Sequence, residues 1–138
     1  MKVFVDSDVI ISSLLSTKGA SYLLLQHKDI TPIISSYSNE EIEVVIERLN
    51  IQNKLFKPLK LKLHIVKLSL KIEKIKKNYH GYVTDADDAH IVAGATFAKT
   101  KFLITYNIRH FKKDKIKEDL NIIVLTPGQF LQYLRSLK

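Results

Sequence analysis

Short apolar segments alternate with longer amphipathic segments along this chain. Apolar runs predict buried strands over residues 3–5, 31–34, 102–105 and 122–124. Between the strands, apolar residues recur at the spacing of one helix face, as in EEIEVVIERL. The pattern predicts helices over residues 9–15, 20–27, 39–49 and 86–99. Ser7 or Asp8 is expected to cap the first helix, and Thr126 to cap a last helix that Pro127 opens.

Residues 58–77 fit two patterns. Their apolar residues alternate over 59–65 as in a strand, yet they also form one face of a helix that continues to Leu70. The length of the segment and the spacing of its lysines favour one helix. Residues 78–84, which include Gly81, are expected to form a loop.

The alternation of strands and helices predicts an α/β fold. We expect three layers, α/β/α, with a central and mostly parallel sheet of about four to five strands, in one domain over residues 1–138. Sites in such folds form at the carboxyl edge of the strands. That edge is predicted to collect Asp6, Ser35, Ser36 and residues 105–107, together with the starts of the helices that follow.

The composition narrows the possible chemistry. The chain contains no cysteine, which excludes disulfides, thiolate metal ligands and cysteine nucleophiles and suits a reducing compartment. No apolar segment is long enough to span a membrane, and the amino terminus, MKVFVDSDVIISSLL, makes a poor signal peptide. A cytoplasmic protein without membrane contact is expected.

The charge distribution suggests a polyanionic partner and a cation. The net charge is +8, which favours nucleic acid, although a lysine-rich surface can also serve solubility alone. Nine of the 14 acids fall in three clusters, which are Asp6 and Asp8; Glu40, Glu41, Glu43 and Glu47; and Asp85, Asp87 and Asp88. Carboxylates that converge repel one another unless they bind a cation or a proton. All-oxygen ligands suit Mg²⁺ or Mn²⁺, which catalyse phosphodiester hydrolysis.

Each acid also has a simpler interpretation. Asp6 at a strand end, and Asp85 or Asp87 before a helix, could serve only as helix caps. The other acids of the second cluster belong on a solvated helix surface, whereas Glu41 borders the buried face. Asp88 likewise lies at the margin of an apolar stripe.

Five sequence blocks together resemble the PIN-domain family. They are VFVDSDVIIS, SSYSNEEIEVVIERL, DADDAHIVAGA, FLITYNIRHF and LTPGQFL, and they occur in order over nearly the whole chain. The resemblance implies a PIN-like nuclease fold in which carboxylates hold Mg²⁺ or Mn²⁺ and cleave RNA.

The resemblance also implies roles for individual residues. Asp6, Glu41 and Asp88 correspond to the family's three acids and are the expected metal ligands, with Asp85 as an additional ligand. Asn107 stands where many members have a fourth aspartate, which puts a second metal position in doubt.

Four further side chains are assigned around these acids. Asp8 is expected to compensate in part for Asn107, and Thr105 to orient a ligand or a water. Arg109 lies at the rim, where contact with phosphate and a plain surface role are equally open. His90, two residues after Asp88, is expected to turn away from the helix face that carries Asp88 and to be structural or exposed.

Three functional hypotheses remain open at this point. The first is a metal-dependent ribonuclease, which as a VapC-like toxin would pair with a protein antitoxin and form a homodimer. The second is a PIN-fold module that binds RNA without cleaving it, which Asn107 makes conceivable. The third is a haloacid-dehalogenase-type phosphatase, although Val9 stands where the first motif of that family has threonine.

Overall fold

The computed structural model describes residues 1–137, so Lys138, the last residue of the predicted domain, lies outside the described residues. Five strands form one sheet: β1 (Lys2–Val5), β2 (Thr31–Ser35), β3 (His64–Val66), β4 (Phe102–Ile104) and β5 (Ile123–Leu125). The spatial order is β3-β2-β1-β4-β5, and every pairing is parallel. The predicted parallel α/β fold is therefore confirmed, and β1 is its central strand.

Helices cover both faces of the sheet. They are α1 (Ser7–Leu15), α2 (Ala20–Gln26), α3 (Ser36–Arg48), α4 (Asn53–Lys62), α5 (Ile72–Tyr79), α6 (Ala89–Phe97), α7 (Lys113–Leu120) and α8 (Pro127–Ser136). Short 3₁₀ turns lie at His80–Tyr82, Ala86–Asp88 and Ile108–His110. Among residues 1–137, no helix is both long and apolar enough to cross a membrane.

Alternation along the strands divides the interior into two apolar cores. Val3 and Val5 point to the core that contains side chains of α1–α4 and α8. Phe4 points to the opposite core, which contains side chains of α5, α6 and α7. Successive strand residues face opposite sides of a sheet, so one short strand supplies both cores.

Helix starts follow the strands closely. The first helix begins at Ser7, so Asp6 occupies the N-cap position, and the predicted capping by Ser7 or Asp8 is wrong. Helix α3 begins at Ser36, earlier than predicted, because Ser35 accepts a hydrogen bond from the backbone N–H of Ser38 and caps the helix there. The last helix has the predicted cap. Thr126 and Gln129 form a complete capping box, and Pro127 is the first residue of the helix.

The predicted single helix over residues 58–77 is wrong. Helix α4 ends at Lys62, residues 64–66 form strand β3, and α5 begins only at Ile72. The backbone of β3 pairs with β2 in the register Ile33↔His64. Without this strand the polar backbone groups of β2 would have no partner on that side, and satisfying them outweighs the amphipathic helical pattern. Helix α7 and the 3₁₀ turn at His80–Tyr82 were not predicted either.

Helix α6 packs on the sheet at unusually short range. All of its residues from Ala89 to Ala95 are buried. A Cβ atom added to Gly94 would lie 2.4 Å from Cζ of Phe4 and 3.3 Å from Cβ of Ser35. Glycine therefore permits the close approach that brings the start of α6 to the carboxyl edge of the sheet.

We predict that Gly94→Ala destabilises the protein by about 1–3 kcal/mol, because the added methyl group overpacks against the buried Phe4 ring. Gly128→Ala is the matched control, since nothing lies within 4 Å of a Cβ added there, in the first turn of α8. Urea denaturation of both variants would measure the difference. Equal midpoints for the two variants would contradict the packing argument.

Candidate functional site

Asp6 lies directly after the central strand and is buried. The parallel register Val5↔Ile104 places the residue after β1 beside the residue after β4. The Thr105 hydroxyl donates to Oδ2 of Asp6 at 2.8 Å, and the backbone N–H of Asn107 donates to the same hydroxyl at 3.0 Å. The sheet edge thus joins Asp6, Thr105 and Asn107 as the strand pattern predicts, with Thr105 orienting the Asp6 carboxylate.

The simpler interpretation of Asp6 as a helix cap does not describe its side chain. Asp6 occupies the N-cap position of α1, yet its carboxylate makes no capping hydrogen bond. The Ser7 hydroxyl donates to Oδ1 at 3.4 Å, which is a long contact. One oxygen of a buried carboxylate is therefore weakly satisfied.

Asp8 connects the first helix to the loop that follows β4. Its Oδ2 accepts from the backbone N–H of Tyr106 and from Nδ2 of Asn107, both at 3.1 Å. Its Oδ1 is buried and has no hydrogen-bond partner among the described residues. Asn107 thus uses its amide to hold Asp8, and Asp8 keeps one carboxylate oxygen for another ligand.

The third acidic cluster divides its members between different tasks. Asp88 stands at the N-cap position of α6, and Nδ1 of His110 lies 3.4 Å from its Oδ2. Asp85 is exposed and accepts from the backbone N–H of Asp87 at 2.9 Å, so it caps the 3₁₀ turn as the simpler interpretation proposed. Asp87 forms an exposed ion pair of 2.8 Å with Lys76. Asp88 is therefore the member of this cluster that shares the environment of Asp6.

The electrostatics of the buried acids indicate a shared environment. Burial raises the pKa of Asp6, and the charge of Asp88 raises it further, whereas the Thr105 and Ser7 hydrogen bonds and His90 oppose the rise. Burial and then the charge of Asp6 raise the pKa of Asp8 to about 7. Burial also raises the pKa of Asp88. The interaction with His110 lowers this pKa, and the charge of Asp85 raises it further. A bound cation would stabilise the ionised form of such carboxylates.

Glu41 lies on the same side of the sheet but has a partner of its own. Its exposed side chain places Oε1 at 2.7 Å from Nε2 of His90. Glu41 and Asp8 both line a groove of about 400 Å³ between α1 and α3. On its other side Glu41 borders a groove of about 640 Å³ with His90, Lys76 and Asp87.

His90 and Arg109 take different positions around the site. His90 is buried rather than exposed, and its contact with Glu41 on α3 was not predicted. Arg109 lies in the 3₁₀ turn at Ile108–His110, where it is exposed.

The donor set fits a hard divalent cation, although it forms no closed cage. Within residues 1–137, no three His, Asp or Glu side chains converge closely enough to hold a metal ion as they are placed. Mg²⁺ needs fewer protein ligands, because it keeps several waters and usually binds one or two carboxylates together with substrate phosphates. The partnerless Oδ1 of Asp8 and the weakly bonded Oδ1 of Asp6 supply oxygen ligands of that kind.

Comparison with known proteins identifies the family. The sequence profile of the PIN domain matches residues 2–109, and the chain therefore belongs to the PIN-domain family. A search of curated proteins gives no significant match.

Solved structures share the fold at low sequence identity. One is a chain of a toxin–antitoxin complex from Klebsiella pneumoniae, with 19% identity, a TM-score of 0.66, and coverage of 91% of this chain and 97% of that one. Another is a chain of VapBC2 from Rickettsia felis bound to a promoter DNA fragment, with 19% identity, a TM-score of 0.62, and coverage of 91% and 98%. These likenesses confirm the PIN-like three-layer architecture.

The raised carboxyl pKa values predict a pH-dependent stability for the metal-free protein. A carboxyl group with a raised pKa binds more protons in the folded than in the unfolded chain, so the free energy of unfolding falls as pH rises. For Asp8 this loss spans the range from its ordinary pKa of 3.8 to about 7. We expect the melting temperature in EDTA to fall between pH 5 and pH 8, and to fall less in Asp8→Asn.

The control is Asp29→Asn, because Asp29 is an exposed acid before β2. An equal pH dependence in Asp8→Asn and wild type would contradict the assignment.

Proposed function

We propose that this protein is a metal-dependent endoribonuclease that hydrolyses RNA phosphodiester bonds at the edge formed by Asp6, Asp8 and Asp88. The observation that carries the proposal is the buried carboxylate of Asp6 at the end of the central strand, together with the half-buried carboxylates of Asp8 and Asp88, which repel it. Membership of the PIN-domain family supports the nuclease over the phosphatase hypothesis.

The residues of the site have separable tasks in this proposal. Asp6, Asp88 and Glu41 hold Mg²⁺ or Mn²⁺, and Asp8 contributes its partnerless oxygen. The bound cation would supply charge to stabilise the scissile phosphate and to activate water. Thr105 keeps the Asp6 carboxylate in one orientation by its 2.8 Å hydrogen bond. Asp85 has a capping partner and contributes negative charge near Asp88.

The rest of the surface suits an RNA substrate. The chain carries 22 Lys and Arg against 14 Asp and Glu, a net charge of +8. This excess of positive charge attracts a phosphate backbone. Arg109 and His110 lie in the turn beside Asp88 and can meet phosphate oxygens there. A ribonuclease of this kind would act in the cytoplasm.

We predict that Asp6→Asn lowers the rate of Mn²⁺-dependent cleavage of single-stranded RNA by more than about a hundredfold. Loss of a residue that only contacts a metal ligand typically costs about 10–100-fold, and Asp6 is proposed as a ligand itself. Asp29→Asn makes the same chemical change at the opposite edge of the sheet, before β2, and should cleave as wild type does. Denaturing gel electrophoresis of a fluorescent oligoribonucleotide measures both.

The same assay distinguishes the competing functions. If wild type and Asp6→Asn are equally inert but both bind RNA, the nuclease proposal fails and the RNA-binding module stands. The side chain of Asn107 makes that outcome conceivable, because it donates to Asp8 where an aspartate could not. A phosphoaspartate trapped on Asp6 would instead favour the phosphatase.

We also propose that the protein is the toxin of a toxin–antitoxin pair. Two of the solved structures similar to it belong to a toxin–antitoxin complex and to VapBC2. The groove between α1 and α3 is lined by apolar side chains, including Leu15, and opens beside Asp8 and Glu41. A segment of an antitoxin in this groove would cover the carboxylates. Assembly into a homodimer stays a prediction.

We predict that Leu15→Glu weakens the complex with a co-expressed antitoxin from the neighbouring gene at least about tenfold, because one buried charge commonly costs more than 1.4 kcal/mol. Leu61→Glu is the control, since Leu61 on α4 is 89% exposed and lies outside the groove. Co-purification followed by calorimetry measures the affinity. Equal effects of the two substitutions would place the antitoxin elsewhere.

A further inference from the structure

His90 is a polar residue in a helix whose other buried positions are small or apolar. It is 5% exposed, and its Nδ1 is buried without a hydrogen-bond partner in the described part of the chain. A histidine buried in this way stabilises the fold less than an apolar side chain of similar size. Packing alone therefore does not account for histidine at this position.

His90 makes a close polar contact with Glu41. Nε2 of His90 lies 2.7 Å from Oε1 of Glu41. A lone pair on Nε2 would repel a carboxylate oxygen at this distance, so the contact fits an imidazole that carries a proton on Nε2. The contact ties α6 to α3 and leaves Oε2 of Glu41 for another ligand.

The two partners differ in how firmly they are held. The side chain of Glu41 is 50% exposed, whereas that of His90 is 6% exposed. A half-exposed glutamate on a helix surface samples several rotamers unless a fixed group selects one. His90 is the fixed group, and Glu41 is the group that it holds.

Tyr37 buttresses the imidazole from the same helix as Glu41. Tyr37 and Glu41 are four residues apart on α3 and so share one face. The Tyr37 ring lies 6.0 Å from the His90 ring, and its hydroxyl donates to the backbone oxygen of Leu70 at 2.9 Å. The loop before α5 thus fixes Tyr37. Tyr37 in turn packs on His90, and His90 contacts Glu41.

We propose that His90 is a positioning residue that holds the Glu41 carboxylate at the groove that Asp8 also lines, with Oε1 on His90 and Oε2 as the ligand of the divalent cation. The inference rests on the proposed function, because it assigns Glu41 to the cation. Glu41 and Asp8 already line one groove, so fixing Glu41 there preorganises a ligand that would otherwise swing into solvent.

The test compares variants of His90 that keep or remove the donor. His90→Phe keeps a ring of similar size without a donor, and His90→Leu is a second variant without a donor in case the larger ring does not fit. His90→Gln keeps an N–H near the position of Nε2. Partners of metal ligands typically contribute 10–100-fold to affinity. We expect Mn²⁺ affinity by calorimetry to fall about 10–100-fold in the Phe and Leu variants and to be recovered in Gln.

A second readout needs neither metal nor activity. In the metal-free protein, ¹⁵N-resolved NMR of the imidazole should show His90 protonated on Nε2, with a hydrogen-bonded shift that changes in Glu41→Gln. In the Glu41→Gln background, His90→Phe should cause no further loss of Mn²⁺ affinity. The NMR readout tests the contact itself, and the Mn²⁺ affinity tests its role, because a merely structural histidine would change the melting temperature and leave the Mn²⁺ affinity unaltered.

The outcomes separate this inference from the proposed function. If wild type binds no Mn²⁺ and cleaves no RNA, the proposed function fails, and the inference fails with it. If wild type binds Mn²⁺ but His90→Phe and His90→Leu bind it equally well or more tightly, the inference alone is overturned. Tighter binding would show that His90 withholds Glu41 from the cation.

Discussion

The carboxylate of Asp6 lies at the end of the central strand, almost out of reach of solvent. Its neighbours on the sheet edge are polar groups that the parallel register brings beside it, above all the Thr105 hydroxyl at 2.8 Å. Asp88 adds negative charge from the start of α6, and Asp8 adds more from the first turn of α1. One buried and two half-buried carboxylates in one place are costly to the free protein and useful to a protein that binds a cation.

The architecture of the molecule arranges this convergence. The two cores anchor the strands so that the residues after β1 and β4 meet at one edge. Gly94 lets α6 approach Phe4 and Ser35, and that approach brings the N-terminal end of α6 to the same edge. Asp8 then fastens the loop after β4 through Tyr106 and Asn107. The site is therefore built from rigid helix and strand ends rather than from a long loop.

Much of this arrangement follows from the sequence. An apolar run that ends at an aspartate predicts the position of Asp6, and parallel strand ends predict its neighbour Thr105. The capping box at Thr126 was also predictable, because its residues are local. The features that were not predicted depend on contacts with residues far away in the sequence. Residues 64–66 form a strand because β2 needs an edge partner, and the alternation over residues 59–65 was the local sign of it that the helical pattern outweighed. The contact between His90 and Glu41 was not predicted, because helix periodicity relates His90 to Asp88 and carries no information about α3.

The carboxylates at the end of β1 are proposed to form a site for a divalent cation. A crystal structure of the protein soaked in MnCl₂, with data collected at the manganese absorption edge, tests this directly. We expect an anomalous difference peak within ligand distance of the Asp6 carboxylate, shared with Asp8 or Asp88. A peak elsewhere on the surface, or none at a concentration that supports RNA cleavage, would contradict it.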